Sequence, residues 1–126
     1  MHAYPDPVFH RDIRWPNIIR RIDKPRKWFL IDWEDASMLP TRAAKHLRES
    51  EHSPCIFADG HGAEVDTWAV GKLFLDANKF ASPLPTAMVA IGKRLREDGT
   101  ISVQQALTEM KRALGMFYPW RSAHLL

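Results

Sequence analysis

The sequence predicts a mainly α-helical domain that carries one small β-hairpin. Three segments in the second half of the chain repeat apolar residues at helical spacing, and one short run in the first half is rich in aromatic and β-branched residues. Nine prolines are scattered between these segments, and no internal repeat interrupts them. A chain of 126 residues that is 45% hydrophobic has the size of one globular domain with a single core.

The predicted hairpin lies in the first quarter of the chain. Residues 28–32 (Trp-Phe-Leu-Ile-Asp) have the composition of a strand, and residues 17–20 (Asn-Ile-Ile-Arg) are the expected partner strand. Pro25 falls between them and favours a turn. The basic residues around this proline are therefore interpreted as a solvated turn.

The first two helices are predicted from their apolar periodicity. Residues 64–77 are apolar around most of a helical wheel, so we expect this segment to be the central core helix. A second helix is predicted near residues 86–97, where Met88, Ile91 and Leu95 fall on one stripe and the basic residues fall largely off it. One face of this helix is expected to be buried and the other solvated.

The last helix has the clearest start signal. Ser102 is a candidate N-cap and Gln105 follows three residues later, which is the spacing of a capping box. Apolar residues then recur at helical spacing as far as Leu114. Gly115 is the expected C-terminal stop.

Composition and charge exclude several classes of function. The formal net charge of +3 is too small an excess to indicate a nucleic-acid partner, and no apolar run approaches the ~20 residues that span a bilayer. A single cysteine, Cys55, excludes an internal disulfide and favours a reducing compartment, with the cytoplasm as the expected location. Together with His52 and His61 it lacks the paired short spacings of structural zinc sites, so we do not expect zinc there.

The first block with chemical potential is residues 8–17, Val-Phe-His-Arg-Asp-Ile-Arg-Trp-Pro-Asn. The His-Arg-Asp triplet followed after four residues by Asn resembles the catalytic loop of protein kinases. The resemblance implies that Asp12 is the base that accepts the proton of the attacking hydroxyl and that Asn17 is a magnesium ligand. Arg14 stands where many protein kinases carry a Lys that contacts the transferred phosphate, so the positive charge is retained with altered geometry.

The second block is residues 29–35, Phe-Leu-Ile-Asp-Trp-Glu-Asp. Asp32 corresponds to the metal-binding Asp of the kinase Asp-Phe-Gly motif. Trp33 retains an aromatic group, whereas Glu34 replaces the glycine whose backbone freedom is used when ordinary kinases switch state. This pattern is similar to small-molecule kinases of the aminoglycoside and choline type and to divergent fungal kinase-like proteins. Glu34 either adds a carboxylate near the metal or is a surface residue.

The third block is residues 65–74, Val-Asp-Thr-Trp-Ala-Val-Gly-Lys-Leu-Phe, which resembles the kinase helix that carries Asp-x-Trp-Ser-x-Gly. The resemblance implies that Asp66 accepts hydrogen bonds from the catalytic-loop backbone and so supports His10, Arg11 and Asp12 from beneath. A carboxylate that only favours the start of its own helix is the simpler alternative.

Other kinase features are eroded. Residues 52–55 (His-Ser-Pro-Cys) lie where an Ala-Pro-Glu motif is expected, and residues 98–102 (Asp-Gly-Thr-Ile-Ser) lie where the family places the Arg that pairs with that Glu. The loss of both members of an ion pair leaves no charge buried alone. We expect the fold to survive this double loss, while substrate docking on that segment is altered.

The resemblance covers residues 9–114 and implies one truncated kinase C-terminal lobe across residues 1–126. No Gly-x-Gly-x-x-Gly run or strand-borne Lys that would hold ATP is present, so magnesium and ATP are expected to bind weakly. The expected function is that of a non-catalytic binding or regulatory module, which binds a protein partner or self-associates through apolar surface on the central helix. Two alternatives remain, namely a phosphotransferase completed in trans and a remnant of a small-molecule kinase.

Overall fold

The computed structural model describes residues 6–24, 27–97 and 101–117. The chain is mainly α-helical with one two-stranded antiparallel sheet, as the sequence predicted. It divides into two compact units, one as far as Ala69 and the other from Val70 onward. In the described part of the chain, no helix has the length and apolar character that crossing a bilayer requires.

The predicted hairpin is confirmed. Strand β1 is Ile18–Arg20 and strand β2 is Trp28–Leu30, and the register places Ile19 opposite Phe29. Both strands are shorter than predicted. Asn17 belongs to the 3-10 helix Trp15–Asn17 and not to the first strand. Asp32 has a φ angle of 60°, which a strand cannot accommodate.

A second pairing in the first unit joins the chain before the hairpin to the chain after it. Phe9 and Ser37 exchange backbone hydrogen bonds of 2.9 and 3.0 Å. Phe9 is buried. The segment that leads into His10 is therefore fixed beside the segment that follows Asp32.

The core of the first unit is small and lies under two irregular segments. Ala44, Ile56 and Val65 are buried there. Ile56 belongs to the 3-10 helix Pro54–Phe57, whose start is capped by the hydroxyl of Ser53. This core therefore packs the chain after residue 40 against the first turn of the following helix.

Helix α1 is Glu64–Phe80, three residues longer than predicted. The last turn of α1 contacts the chain that follows the helix. Asn78 Oδ1 accepts a hydrogen bond of 2.8 Å from the backbone N–H of Leu84. The apolar surface expected on this helix is largely covered. Among its large apolar side chains only Phe80 is exposed, while Val65 and Trp68 are buried.

The second unit packs the remainder of α1 with helices α2 (Thr86–Arg96) and α3 (Val103–Phe117). The predicted stripe of α2 is confirmed, because Met88, Ile91 and Leu95 are all buried in one cluster. The cluster also includes the buried residues Ile101, Ala106 and Ala113.

Two glycines allow α1 and α2 to approach each other closely. A Cβ atom on Gly71 would lie 2.6 Å from the backbone oxygen of Gly92 and 2.9 Å from the Cβ of Leu95. A side chain at Gly71 would not fit at these distances. The two helices can therefore pack this closely only because glycine occupies the contact.

The predicted start of α3 is confirmed and its predicted end is wrong. Ser102 Oγ accepts a hydrogen bond of 3.0 Å from the backbone N–H of Gln105. The helix does not stop at Gly115 but continues to Phe117. Glycine ends a helix when it adopts a left-handed conformation, and of the described glycines only Gly60 has a positive φ. Within a helix, glycine costs only about 1 kcal/mol relative to alanine. The predicted place of the missing Arg, residues 98–100, lies outside the described residues.

Candidate functional site

The backbone of the His-Arg-Asp segment is held by one carboxylate. Asp66 Oδ2 accepts a hydrogen bond of 2.8 Å from the backbone N–H of His10, and Asp66 Oδ1 accepts one of 2.8 Å from that of Arg11. Asp66 lies in the first turn of α1. The structure therefore contains the support contact that the sequence predicted for Asp66.

The side chain of Arg11 fastens the same loop to the chain on its other side. Its Nε donates to the backbone oxygen of Asp35 at 2.6 Å, and its Nη1 donates to that of Arg42 at 3.0 Å. Nη1 also lies 3.3 Å from His61 Nε2. Arg11 has a φ angle of 71°, an uncommon conformation for a residue with a side chain, which these contacts and Asp66 together maintain.

His10 is buried and links the loop to the strand that precedes Asp32. Its Nε2 lies 2.9 Å from the backbone oxygen of Ile31, and its Nδ1 accepts a 3.1 Å hydrogen bond from the backbone N–H of Asp12. A neutral imidazole with its proton on Nε2 satisfies both contacts. The Trp33 ring packs edge-on against this imidazole, with 4.6 Å between the ring centroids.

Asp12 is buried, and its carboxylate faces three nitrogen atoms. Oδ1 lies 2.7 Å from His52 Nε2 and 3.3 Å from Arg14 Nε. Oδ2 accepts a hydrogen bond of 3.2 Å from Asn17 Nδ2. Arg14 Nε is not aligned for a hydrogen bond with any acceptor in the described chain, so its contact with Asp12 is an ion pair alone. A buried carboxylate requires donors of this kind.

Asn17 and Asp32 are brought together through Ile31. The backbone N–H of Ile31 donates to the backbone oxygen of Asn17 at 2.8 Å, and Asp32 is the next residue. Asn17 is buried, and its Nδ2 is directed to the Asp12 backbone oxygen at 2.8 Å. This orientation leaves the Asn17 side-chain oxygen for another partner. Asp32 is exposed, and an amide oxygen with a carboxylate is a donor set that magnesium accepts.

The remaining predicted site residues are arranged differently. Arg14 lies between two carboxylates, because its Nη1 is 3.4 Å from Glu51 Oε2 while its Nε faces Asp12. Glu34 is exposed.

A cavity of about 260 Å³ opens beside Asp12. Basic groups outnumber acidic groups in its lining, which consists of Asp12, Arg14, His46, Leu47, Arg48, Glu51 and His52.

Sequence reasoning missed His52. It is buried, and it contacts Asp12 although 40 residues separate them along the chain. The available signal was its position in residues 52–55, where the kinase pattern is eroded and a histidine stands next to the Ser-Pro pair. No periodicity or motif links that segment to Asp12.

The possible zinc ligands are used in other contacts. His52 faces Asp12, and His61 Nδ1 lies 2.8 Å from the backbone oxygen of Ala58. Across residues 6–24, 27–97 and 101–117 no three His, Cys, Asp or Glu side chains form a group able to hold a metal ion.

Comparison with known proteins gives a partial match. No protein-family model matches the sequence, and no solved structure matches it. Over 68 residues the chain is 48% identical to Crinkler effector protein 8 of Phytophthora infestans. The match covers 51% of this chain and 11% of that protein, so the chain spans about a tenth of the length of this curated relative.

Proposed function

We propose that this chain is a protein-kinase-like C-terminal lobe whose Asp12 loop is the base-bearing half of a phosphoryl-transfer site. The observation that carries the proposal is the pair of hydrogen bonds from the backbone of His10 and Arg11 to Asp66. This contact joins two of the three sequence blocks that resemble kinases. A chance match of short motifs gives no reason for a carboxylate 54 residues from Asp12 to hold the same loop.

Asp12 is suited to accept the proton of an acceptor hydroxyl. A carboxylate offers about four lone-pair sites, and the aligned hydrogen bonds from His52 and Asn17 occupy one on each oxygen. Because Arg14 Nε also lies 3.3 Å from Oδ1, the site that remains for an acceptor hydroxyl is the second lone pair of Oδ2. Proton acceptance by a positioned carboxylate is the role that phosphoryl transfer requires at this place.

Asn17 and Asp32 are the residues that we propose to hold magnesium. When bound, the ion neutralises charge on the nucleotide phosphates. The protein contributes the geometry, because the backbone hydrogen bond between Ile31 and Asn17 fixes Asp32 beside the loop. Arg14 adds positive charge next to the Asp12 carboxylate.

ATP needs further contacts that residues 1–126 do not encode, since these residues contain no glycine-rich phosphate loop. We propose that these contacts come from a partner or from another part of a longer polypeptide. Weak magnesium-dependent binding of ATP is the property expected of the 126 residues alone, because positioning supplies most of the rate enhancement in this reaction.

The test is calorimetric titration of ATP with and without magnesium. We expect binding that requires magnesium and is lost in Asp32→Asn, because the substitution removes the carboxylate ligand while keeping the size of the side chain. Glu34→Gln is the matched control two residues away and separates a metal ligand from a surface charge. Magnesium-dependent binding that Asp32→Asn leaves unchanged contradicts the proposal, as does a complete lack of magnesium-dependent binding.

A second candidate function, self-association, is favoured by the exposed hairpin. Ile19 and Phe29 lie opposite each other in the register, on one face of the sheet, and are 47% and 49% exposed. Apolar side chains grouped on one small sheet commonly form an interface. Light scattering coupled to size-exclusion chromatography is expected to show a dimer that Phe29→Ser weakens. A monomer at high concentration would sink this candidate.

We also propose a cytoplasmic location for this function. Its basis is the one thiol, Cys55, which is not paired in a disulfide. Fluorescence microscopy of a tagged chain tests it, and accumulation in a secretory compartment is the contrary outcome.

A further inference from the structure

His52 is a buried titratable residue in direct contact with Asp12, the proposed base. Its ring is 6% exposed, so water contributes little to its hydrogen bonding. Nε2 lies 2.7 Å from Asp12 Oδ1, and Nδ1 lies 2.7 Å from the backbone oxygen of Arg48. Both distances are those of strong hydrogen bonds.

These two contacts determine the protonation of the ring. The oxygen of Arg48 is a carbonyl, which only accepts, and an ionised Asp12 also only accepts. A neutral imidazole has one N–H and cannot donate to both. The geometry therefore requires a proton on each ring nitrogen of His52 when Asp12 is ionised.

The charged groups around this pair are consistent with a cationic ring. Asp12 faces it directly, and Arg14 Nε lies 3.3 Å from the same carboxylate oxygen, Oδ1. Glu51 is the preceding residue and draws Arg14 Nη1 to 3.4 Å. His46 is paired with Asp35 at 2.6 Å, and Arg48 presents its carbonyl to the ring. The His52 ring and the Arg14 guanidinium thus both contact Asp12, and Arg14 also contacts Glu51.

We propose that His52 is a positioning residue for Asp12, an imidazolium that holds Oδ1 and leaves the second oxygen of the carboxylate for the acceptor hydroxyl. The inference rests on the proposed phosphoryl-transfer function and adds to it a residue outside the kinase-like blocks. A charge-assisted bond to one oxygen fixes the rotation of the carboxylate, which the weaker 3.2 Å contact from Asn17 alone does not.

The same contact connects the base to the cavity wall. His52 lies in the segment that lines the cavity, and Ser53 caps the 3-10 helix that follows at once.

Nitrogen-15 NMR of the histidine rings tests the protonation without any need for activity. In the 126-residue chain at pH 7, both ring nitrogens of His52 are expected to carry protons. In Asp12→Asn one of them is expected to lose its proton, while His46, assigned through His46→Ala, keeps its signals. A neutral His52 ring beside an ordinary carboxylate, or no response to Asp12→Asn, overturns the pairing.

Kinetics test the positioning. In a phosphoryl-transfer assay with the ATP-binding elements supplied, His52→Ala is expected to lower kcat roughly 10- to 100-fold with little change in KM for ATP. His52→Gln retains a donor at the position of Nε2 and is expected to recover part of the loss. Glu49→Gln, an exposed change in the same segment, is the control, and circular dichroism checks that each variant is folded.

The two proposals fail in different ways. Transfer activity that His52→Ala leaves unchanged overturns the positioning role and leaves the proposed function standing. The opposite result is a His52 ring that is protonated and responds to Asp12→Asn, while the chain neither binds nor uses ATP in any assembly. That result overturns the proposed function and with it the catalytic role of the pair.

Discussion

The carboxylate of Asp66 accepts a 2.8 Å hydrogen bond from the backbone N–H of Arg11, a residue whose φ angle is 71°. A residue with a side chain pays about 1–3 kcal/mol for such a conformation unless its surroundings stabilise it. The loop that presents Asp12 therefore depends on a helix that begins more than 50 residues later.

The first prediction concerns this support. Asp66→Asn leaves one oxygen for two backbone donors, so we expect the free energy of unfolding to fall by about 1–3 kcal/mol. Urea denaturation measures the change. Asp76→Asn is the control on the same helix, because it breaks only a partly exposed pair with Lys72 and should cost less than about 1 kcal/mol. Equal effects of the two substitutions would show that Asp66 does not support the loop.

The second prediction concerns the buried amide beside the base. Asn17→Asp removes the donor to Asp12 and places a second carboxylate against the first, which should destabilise the fold by about 3 kcal/mol or more. Asn78→Asp is the matched control, because Asn78 uses its oxygen as an acceptor and an Asp retains that contact. Thermal unfolding compares the two variants. A melting temperature that falls no further in Asn17→Asp than in the control is the contrary outcome.

The third prediction tests the close approach of α1 and α2. In Gly71→Ala the added methyl group would lie 2.6 Å from the backbone oxygen of Gly92, so the helices must separate. We expect a loss of about 1–3 kcal/mol, reduced by the better helix propensity of alanine. Gly62→Ala is the control, because its methyl group meets the end of an exposed side chain, Glu64 Oε2, at 3.1 Å and no backbone atom. A Gly71→Ala variant as stable as the wild type would refute the packing argument.

The fourth prediction concerns the hairpin turn. A hydrogen bond from Arg21 lowers the pKa of the Asp23 carboxyl, which is otherwise fully exposed. Its contribution to stability is present above the pKa of the unfolded chain and is lost as the pH falls through the lower folded pKa, below about pH 4. Arg21→Gln is expected to raise the pKa of Asp23 in a carbon-13 NMR titration, with no measurable change in melting temperature at pH 7. An unchanged titration of Asp23 rules out this pairing.

Local patterns in the sequence predicted most of the secondary structure. The stripe of Met88, Ile91 and Leu95 and the Ser102 cap depend on spacing within a few residues, and the structure confirms both. The predicted end of α3 was wrong because glycine can also occupy the interior of a helix. The residues around Gly115 decide which position it takes. The burial of α1 also depends on what packs against it, and sequence periodicity does not contain that information.

The sequence by itself predicted that Asp66 contacts the backbone of the loop of His10 and Arg11, because the motifs that these residues resemble carry that contact. Only the tertiary structure decided that His52 lies on Asp12. That contact joins residues 40 apart through two irregular segments, and such segments have no periodicity from which a contact could be inferred. Ile56 packs the segment that follows His52 against Val65 of α1, and Asp66 of the same helix holds the loop that carries Asp12.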